Sequence, residues 1–186
     1  MRLFVAIQIP SEIRAGLAAF VSDLRALAPL AKWVRTNNMH VTLKFLGETD
    51  SAKFGQVHAG LAAIRSAQAV TLKFRGLGFF PNEKRPRVLW AGMDASPNVA
   101  SLAADIDQAM HRLGFPLEER AFTAHLTLAR FNPPGLSAKL QAAVQQNLSR
   151  GFGSLTAAEF LLIESKLKPT GAEYTTLQSF PFVSET

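Results

Sequence analysis

Among its 186 residues the chain has no cysteine, a single tyrosine, two tryptophans and four histidines. The missing cysteine excludes disulfides and thiolate metal sites. No apolar stretch reaches the roughly 18 residues that span a bilayer, so a membrane partner is not expected. The opening M-R-L-F-V-A-I-Q-I-P is too short and alternates too strongly for a signal peptide. It reads as a first strand, stopped by Pro10. A soluble, cytoplasmic, monomeric protein is the expectation. Charge is sparse: charged residues are 18% of the chain and apolar residues 48%, enough to bury a sizeable core. The length fits one compact unit, with no linker or low-complexity segment to divide residues 1–186.

Acidic residues are scarcest in the first half. Residues 1–93 carry 13 Lys and Arg against 5 Asp and Glu; residues 94–186 carry 7 against 9. Lys73, Arg75, Lys84, Arg85 and Arg87 fall close together in sequence. A basic half suits an extended anion, although a solvated basic face gives the same composition.

Within this plain background one pattern occurs twice. His40-Val41-Thr42-Leu43 and His125-Leu126-Thr127-Leu128 both read H-x-T-L, each inside an apolar run with strand character. Residues two apart on a strand share a face, so each histidine sits beside its threonine. By the same alternation Lys44 falls on the face of His40, at the rim of any site, whereas Arg130 points away from His125 unless a twist at the strand end, before Pro133-Pro134, returns it to the cleft. The two histidines are 85 residues apart, near half the chain. His58 and His111 lie in helical patterns without this context and read as surface residues.

The elements around the motifs follow from periodicity. A strand over 2–9 leads to a helix from Ser11, read as the N-cap, to Leu27. A short strand at 32–34 precedes the first motif strand, 39–46. A helix over 51–67 and strands at 70–79 and 88–93 follow. The second half gives a helix over 97–113 and the second motif strand, 122–131. A helix over 137–148 and strands at 155–167 and 173–183 complete it. Each half thus runs strand, helix, motif strand, helix, strand. This predicts two similar α+β lobes, one per half, with the motif strands facing a shared cleft. Phe79 and Phe80 end one strand and are expected to pack in the core.

Histidine, hydroxyl and cleft together suit displacement at phosphorus. Attack and departure occur on opposite sides, one oxygen losing a proton and the other gaining one. Two imidazoles across the phosphate serve both transfers. Two threonine hydroxyls can donate to the non-bridging oxygens. Metal chemistry would need a third ligand. There is no H-x-x-x-H and no carboxylate at ligand spacing beside either motif. No cofactor is expected.

These residues, with R-L-F-V-A-I at the start, H-V-T-L-K-F-L-G-E from His40, P-R-V-L-W-A-G from Pro86, H-L-T-L-A-R from His125 and E-S-K-L near the end, resemble the two-histidine (2H) phosphoesterase superfamily. The resemblance is to its RNA 2′,3′-cyclic phosphodiesterase branch, also described as 2′-5′ RNA ligases, and covers nearly the whole chain. It implies an α+β fold with pseudo-two-fold symmetry, two antiparallel sheets lining a central cleft and helices outside. It implies metal-independent hydrolysis of RNA 2′,3′-cyclic phosphate ends to 2′-phosphomonoesters. His40 would be the proton donor and His125 the proton acceptor, with Thr42, Thr127 and Arg130 on the substrate phosphate. One departure is Ala124, where the family often has proline before the second histidine. Two alternatives stay open: 2′-5′ ligation, which the same acid–base pair also serves, and a non-catalytic RNA-binding module. The latter would need no histidines and usually carries an aromatic-rich G-F-G-F-V type pattern, which the chain lacks.

Overall fold

A computed structural model describes residues 1–64, 69–119, 122–169 and 171–182. The ends of the expected helix over 51–67 and of the expected strand over 173–183 lie outside the described residues. Nine strands among the described residues form two antiparallel sheets. The first has the order β3 (His40–Glu48), β1 (Arg2–Gln8), β8 (Glu159–Lys168), β9 (Gly171–Pro181). The second has the order β2 (Lys32–Trp33), β6 (His125–Arg130), β5 (Val88–Ala95), β4 (Val70–Phe80), β7 (Gly151–Ala157). Four helices, α1 (Ser11–Leu27), α2 (Phe54–Ala62), α3 (Pro97–His111) and α4 (Ala138–Gln145), cover one side of these sheets.

The α+β class, the paired antiparallel sheets and the outer helices agree with the sequence. The division into halves does not. The first sheet takes β1 and β3 from the first half and β8 and β9 from the C-terminus; the second takes β2 and β4 from the first half. The helices cross as well. The α1 helix follows a strand of the first sheet but packs on β7 of the second, with Phe20 against Phe152 at 5.3 Å. The α3 helix follows β5 of the second sheet and packs on β3 of the first as well as on β4 of the second. Side-chain period cannot reveal this, because it encodes which face is apolar and not which sheet covers it.

Local details shift as well. Ser11 is the first helical residue of α1, and Pro10 occupies the cap position without a side-chain cap. The expected strand over 155–167 is two strands that part at Ala158. One continuous apolar core joins helices to both sheets. It holds Val41 and Leu43 of β3, Leu126 and Leu128 of β6, and Leu17, Leu61 and Ile106 of the helices. A smaller cluster, Phe4, Ala6, Leu161 and Ile163 with Tyr174, lies on the opposite face of the first sheet.

Candidate active site

The motif strands β3 and β6 pack against each other. In both, the valine or leucine after the histidine and the leucine after the threonine are buried in the helix-side core, while histidine and threonine are half-buried on the other face. Both pairs thus open onto the side the helices leave uncovered.

The motif leucine has a second property. Along β1, Ala6 faces Thr42 and Val5 faces Lys44, so Leu43 is an extra residue. Along β5, Trp90 faces Thr127 and Leu89 faces Ala129, so Leu128 is an extra residue. Each H-x-T-L ends in a β-bulge, and a bulge re-aims the side chains beyond it. This corrects the expectation for Lys44 and decides the open one for Arg130. Lys44 is not at the cleft rim. It is 3% exposed and turned to the helix side, where Nζ donates to the Pro116 carbonyl at 2.8 Å and pairs with Asp107 at 2.5 Å. Arg130, by contrast, returns to the face of His125 and Thr127, where it is exposed. At the equivalent place after the first motif stands Phe45, 59% exposed.

The first histidine sits in an aromatic cage. Its ring lies edge-on to Phe4 at 6.3 Å and near Tyr174 at 5.8 Å. Tyr174 belongs to β9, three strands from β3, so the first sheet curls until its far edge reaches the motif. Asn38 fastens this curl, its side-chain amide donating to the Ala172 carbonyl at 2.6 Å. Burial pushes the His40 pKa below the ordinary histidine value; the Asn38 backbone opposes this, and the charge of Arg14 adds to it. His40 Nδ1 is buried and lacks a hydrogen bond.

The second histidine is held differently. Its Nδ1 lies 2.8 Å from the Thr123 carbonyl. A carbonyl only accepts, so Nδ1 carries the proton and, in the neutral ring, Nε2 keeps its lone pair. Phe80 stands edge-on to this ring at 5.1 Å and contacts Trp90 at 5.3 Å. Phe79 is in the core as expected, 7% exposed; Phe80 is not, because it lies on the next, opposite-facing position. Trp90 lies across Gly78, where a Cβ would come within 2.1 Å of the indole. Only glycine leaves room for that ring.

Sequence reasoning missed Phe4, Tyr174, Thr123 and Arg14 as neighbours of the histidines, and Trp90 as the residue paired with Thr127. Trp90 and Tyr174 are members of the two scarcest aromatic types, a signal that scarcity alone offered. His58 stacks near Phe180 at 5.6 Å, and His111 Nδ1 meets the Phe115 carbonyl at 3.1 Å. Neither shares the motif face. Among the described residues no three His, Asp or Glu side chains are grouped to hold a metal ion.

A family model described as LigT-like phosphoesterase matches residues 7–90 and 93–174. The chain belongs to the LigT-like phosphoesterase family. It is 32% identical over 183 residues to an RNA 2′,3′-cyclic phosphodiesterase of Archaeoglobus fulgidus, covering 97% of this chain and 99% of that one. A second protein of that name, from Methanocaldococcus jannaschii, is 32% identical over 180 residues, covering 97% and 100%. A solved Thermus thermophilus structure, 30% identical, superposes with a TM-score of 0.80 over the whole of both chains. E. coli LigT complexed with 3′-AMP superposes with a TM-score of 0.77 at 26% identity, covering 98% of each chain. The two H-x-T-L strands of this phosphoesterase are thus part of a family fold.

Proposed function

We propose that this phosphoesterase hydrolyses 2′,3′-cyclic phosphate ends of RNA to 2′-phosphomonoesters, without a metal, through His40 and His125. The observation that carries this is the contact between β3 and β6, each presenting histidine and threonine on the face away from the core. The names of its relatives support the substrate class.

His125 is the proton acceptor. With Nδ1–H committed to Thr123, Nε2 takes a proton from water as water attacks phosphorus. His40 is the donor and protonates the departing 3′ oxygen. Its burial holds the pKa down before substrate binds. A phosphodiester anion beside the ring favours the imidazolium and restores the proton when substrate arrives. Thr42 and Thr127 donate to the non-bridging oxygens as charge builds there. Arg130 supplies a charge-assisted hydrogen bond to the same group.

The test is a product assay on an oligonucleotide ending in a 2′,3′-cyclic phosphate, with excess chelator. The expected product is the 2′-phosphomonoester at an undiminished rate. Loss of turnover restored by one divalent metal would replace this reading with a metal mechanism. Ligation uses the same two groups in the same roles with a 5′-hydroxyl in place of water as the attacker, and the same assay with a 5′-hydroxyl strand present detects it.

A further inference from the structure

Beside His40 lies a cavity of about 540 Å³ that the reaction above does not use. It is lined by Arg25 at the end of α1, Arg35 and Asn37 from the segment before the motif, and Tyr174 and Thr175 of β9. Its size is within the range of small-ligand sites, roughly 300–1,000 Å³. Its polar side chains are those a sugar-phosphate backbone requires, with two guanidiniums as the strongest anion binders. One carboxylate, Glu173, also lines it, but Lys168 pairs with that group at 2.7 Å. The cavity shares Asn38 and Tyr174 with the surroundings of His40.

The geometry of displacement fixes which part of a substrate lies on this side. Attacking and leaving oxygens are opposed at phosphorus. The leaving oxygen is the 3′ oxygen of the terminal ribose, and the donor stands next to it. The ribose, its base and the rest of the RNA strand therefore lie on the donor's side, and water lies on the acceptor's side. With His40 as donor, the strand must leave the site past Tyr174 and Asn38.

We propose that this cavity holds the internucleotide phosphate one nucleotide upstream of the cyclic phosphate, with Arg25 and Arg35 as its ligands. The inference rests on the donor role of His40. The basic loop carrying Lys84, Arg85 and Arg87 lies instead at the Arg130 end of the second sheet: Arg87 N–H donates to the Phe80 carbonyl, and its own carbonyl accepts from Phe131. That loop takes no part in holding this phosphate.

Two substrates separate these assignments. Adenosine 2′,3′-cyclic phosphate has no upstream phosphate; the dinucleotide ApA ending in a 2′,3′-cyclic phosphate has one. The readout is the ratio of their kcat/KM values. Arg25→Ala is expected to reduce the dinucleotide advantage by about tenfold, as for loss of a hydrogen bond to a charged group. Arg35→Gln is a second variant that removes the charge and keeps most of the side chain's length. The double variant Arg85→Ala/Arg87→Ala is expected to keep the ratio. An unchanged ratio in both Arg25→Ala and Arg35→Gln overturns the subsite. A ratio lost only in the loop variant places the strand on the His125 side and overturns the donor assignment as well. Failure of the wild-type enzyme to turn over either substrate overturns the phosphodiesterase reading itself.

Discussion

At the residue scale the two histidines are chemically unequal although their motifs match. His125 is fixed by a carbonyl, and His40 is caged by aromatic rings with a buried, unpartnered Nδ1. In the proposed mechanism each moves one proton, so His40→Ala and His125→Ala should each lower turnover by at least about 10²-fold. Folding should be retained in both. A variant with near wild-type hydrolysis would end the two-histidine mechanism. The threonines test geometry instead. Valine keeps the branched shape and removes only the donor. Thr42→Val and Thr127→Val should cost up to about 2–4 kcal/mol of transition-state stabilisation each. Both limbs of the pH–rate profile should stay in place, and unchanged rates in both variants would reduce the hydroxyls to packing. Arg14 gives a test of electrostatics. Burial and then its charge lower the His40 pKa against the Asn38 backbone. Arg14→Met should raise that pKa, without restoring the ordinary value because burial is the larger cause. NMR titration of the ring measures it, and a downward shift would contradict the assignment. The sign carries to stability: the folded state disfavours the cation, so this contribution is complete above about pH 6.5 and is lost as pH falls through the lowered pKa.

At the element scale the bulged strand is the working unit. Alternation is strict in period, so one inserted residue exchanges the faces of the residues that follow it, up to the next bulge. The leucine in each H-x-T-L is that residue. It sends Lys44 into the helix side and returns Arg130 to the site. The Lys44 ion pair with Asp107 of α3 then ties the first motif strand to its covering helix. Glu118 adds a longer contact at 3.6 Å. Removing one partner of such a buried pair strands the other, at a cost of roughly 3–5 kcal/mol. Lys44→Met should therefore lower the unfolding free energy, read from denaturant titration, by an amount in that range. The Lys44→Met/Asp107→Leu double variant should recover much of the loss. A Lys44→Met protein as stable as the wild type would show that the pair is not what anchors β3.

At the scale of the whole molecule, the basic residues do not form one patch. Lys73 and Arg75 are exposed along β4, whereas Lys84, Arg85 and Arg87 lie in the turn beyond its end. The net charge of +6 nevertheless acts on any polyanion. A long single strand should bind more tightly than a mononucleotide, and the advantage should fall as salt rises. Each neutralised phosphate contributes about 0.7 to the logarithmic slope. Fluorescence titration at several salt concentrations checks this. A salt-independent preference would mean that the basic half is only a solvated surface. No described helix is long and apolar enough to cross a membrane.

What the sequence by itself determined is the pair of candidate H-x-T-L motifs, the family resemblance and the class of fold. Histidine beside threonine at a two-residue spacing, repeated near half the chain, is local information, and the period of a strand makes it readable. Helical and strand periods located the main elements. Only the tertiary structure decided which strands share a sheet, that α1 covers the sheet other than its neighbour's while α3 reaches both, and that Tyr174 curls round to His40. It alone decided that Lys44 turns inward and Arg130 outward. These features depend on pairing between segments far apart in sequence. A bulge exists only relative to the partner strand that lacks the extra residue, so no pattern within one strand records it.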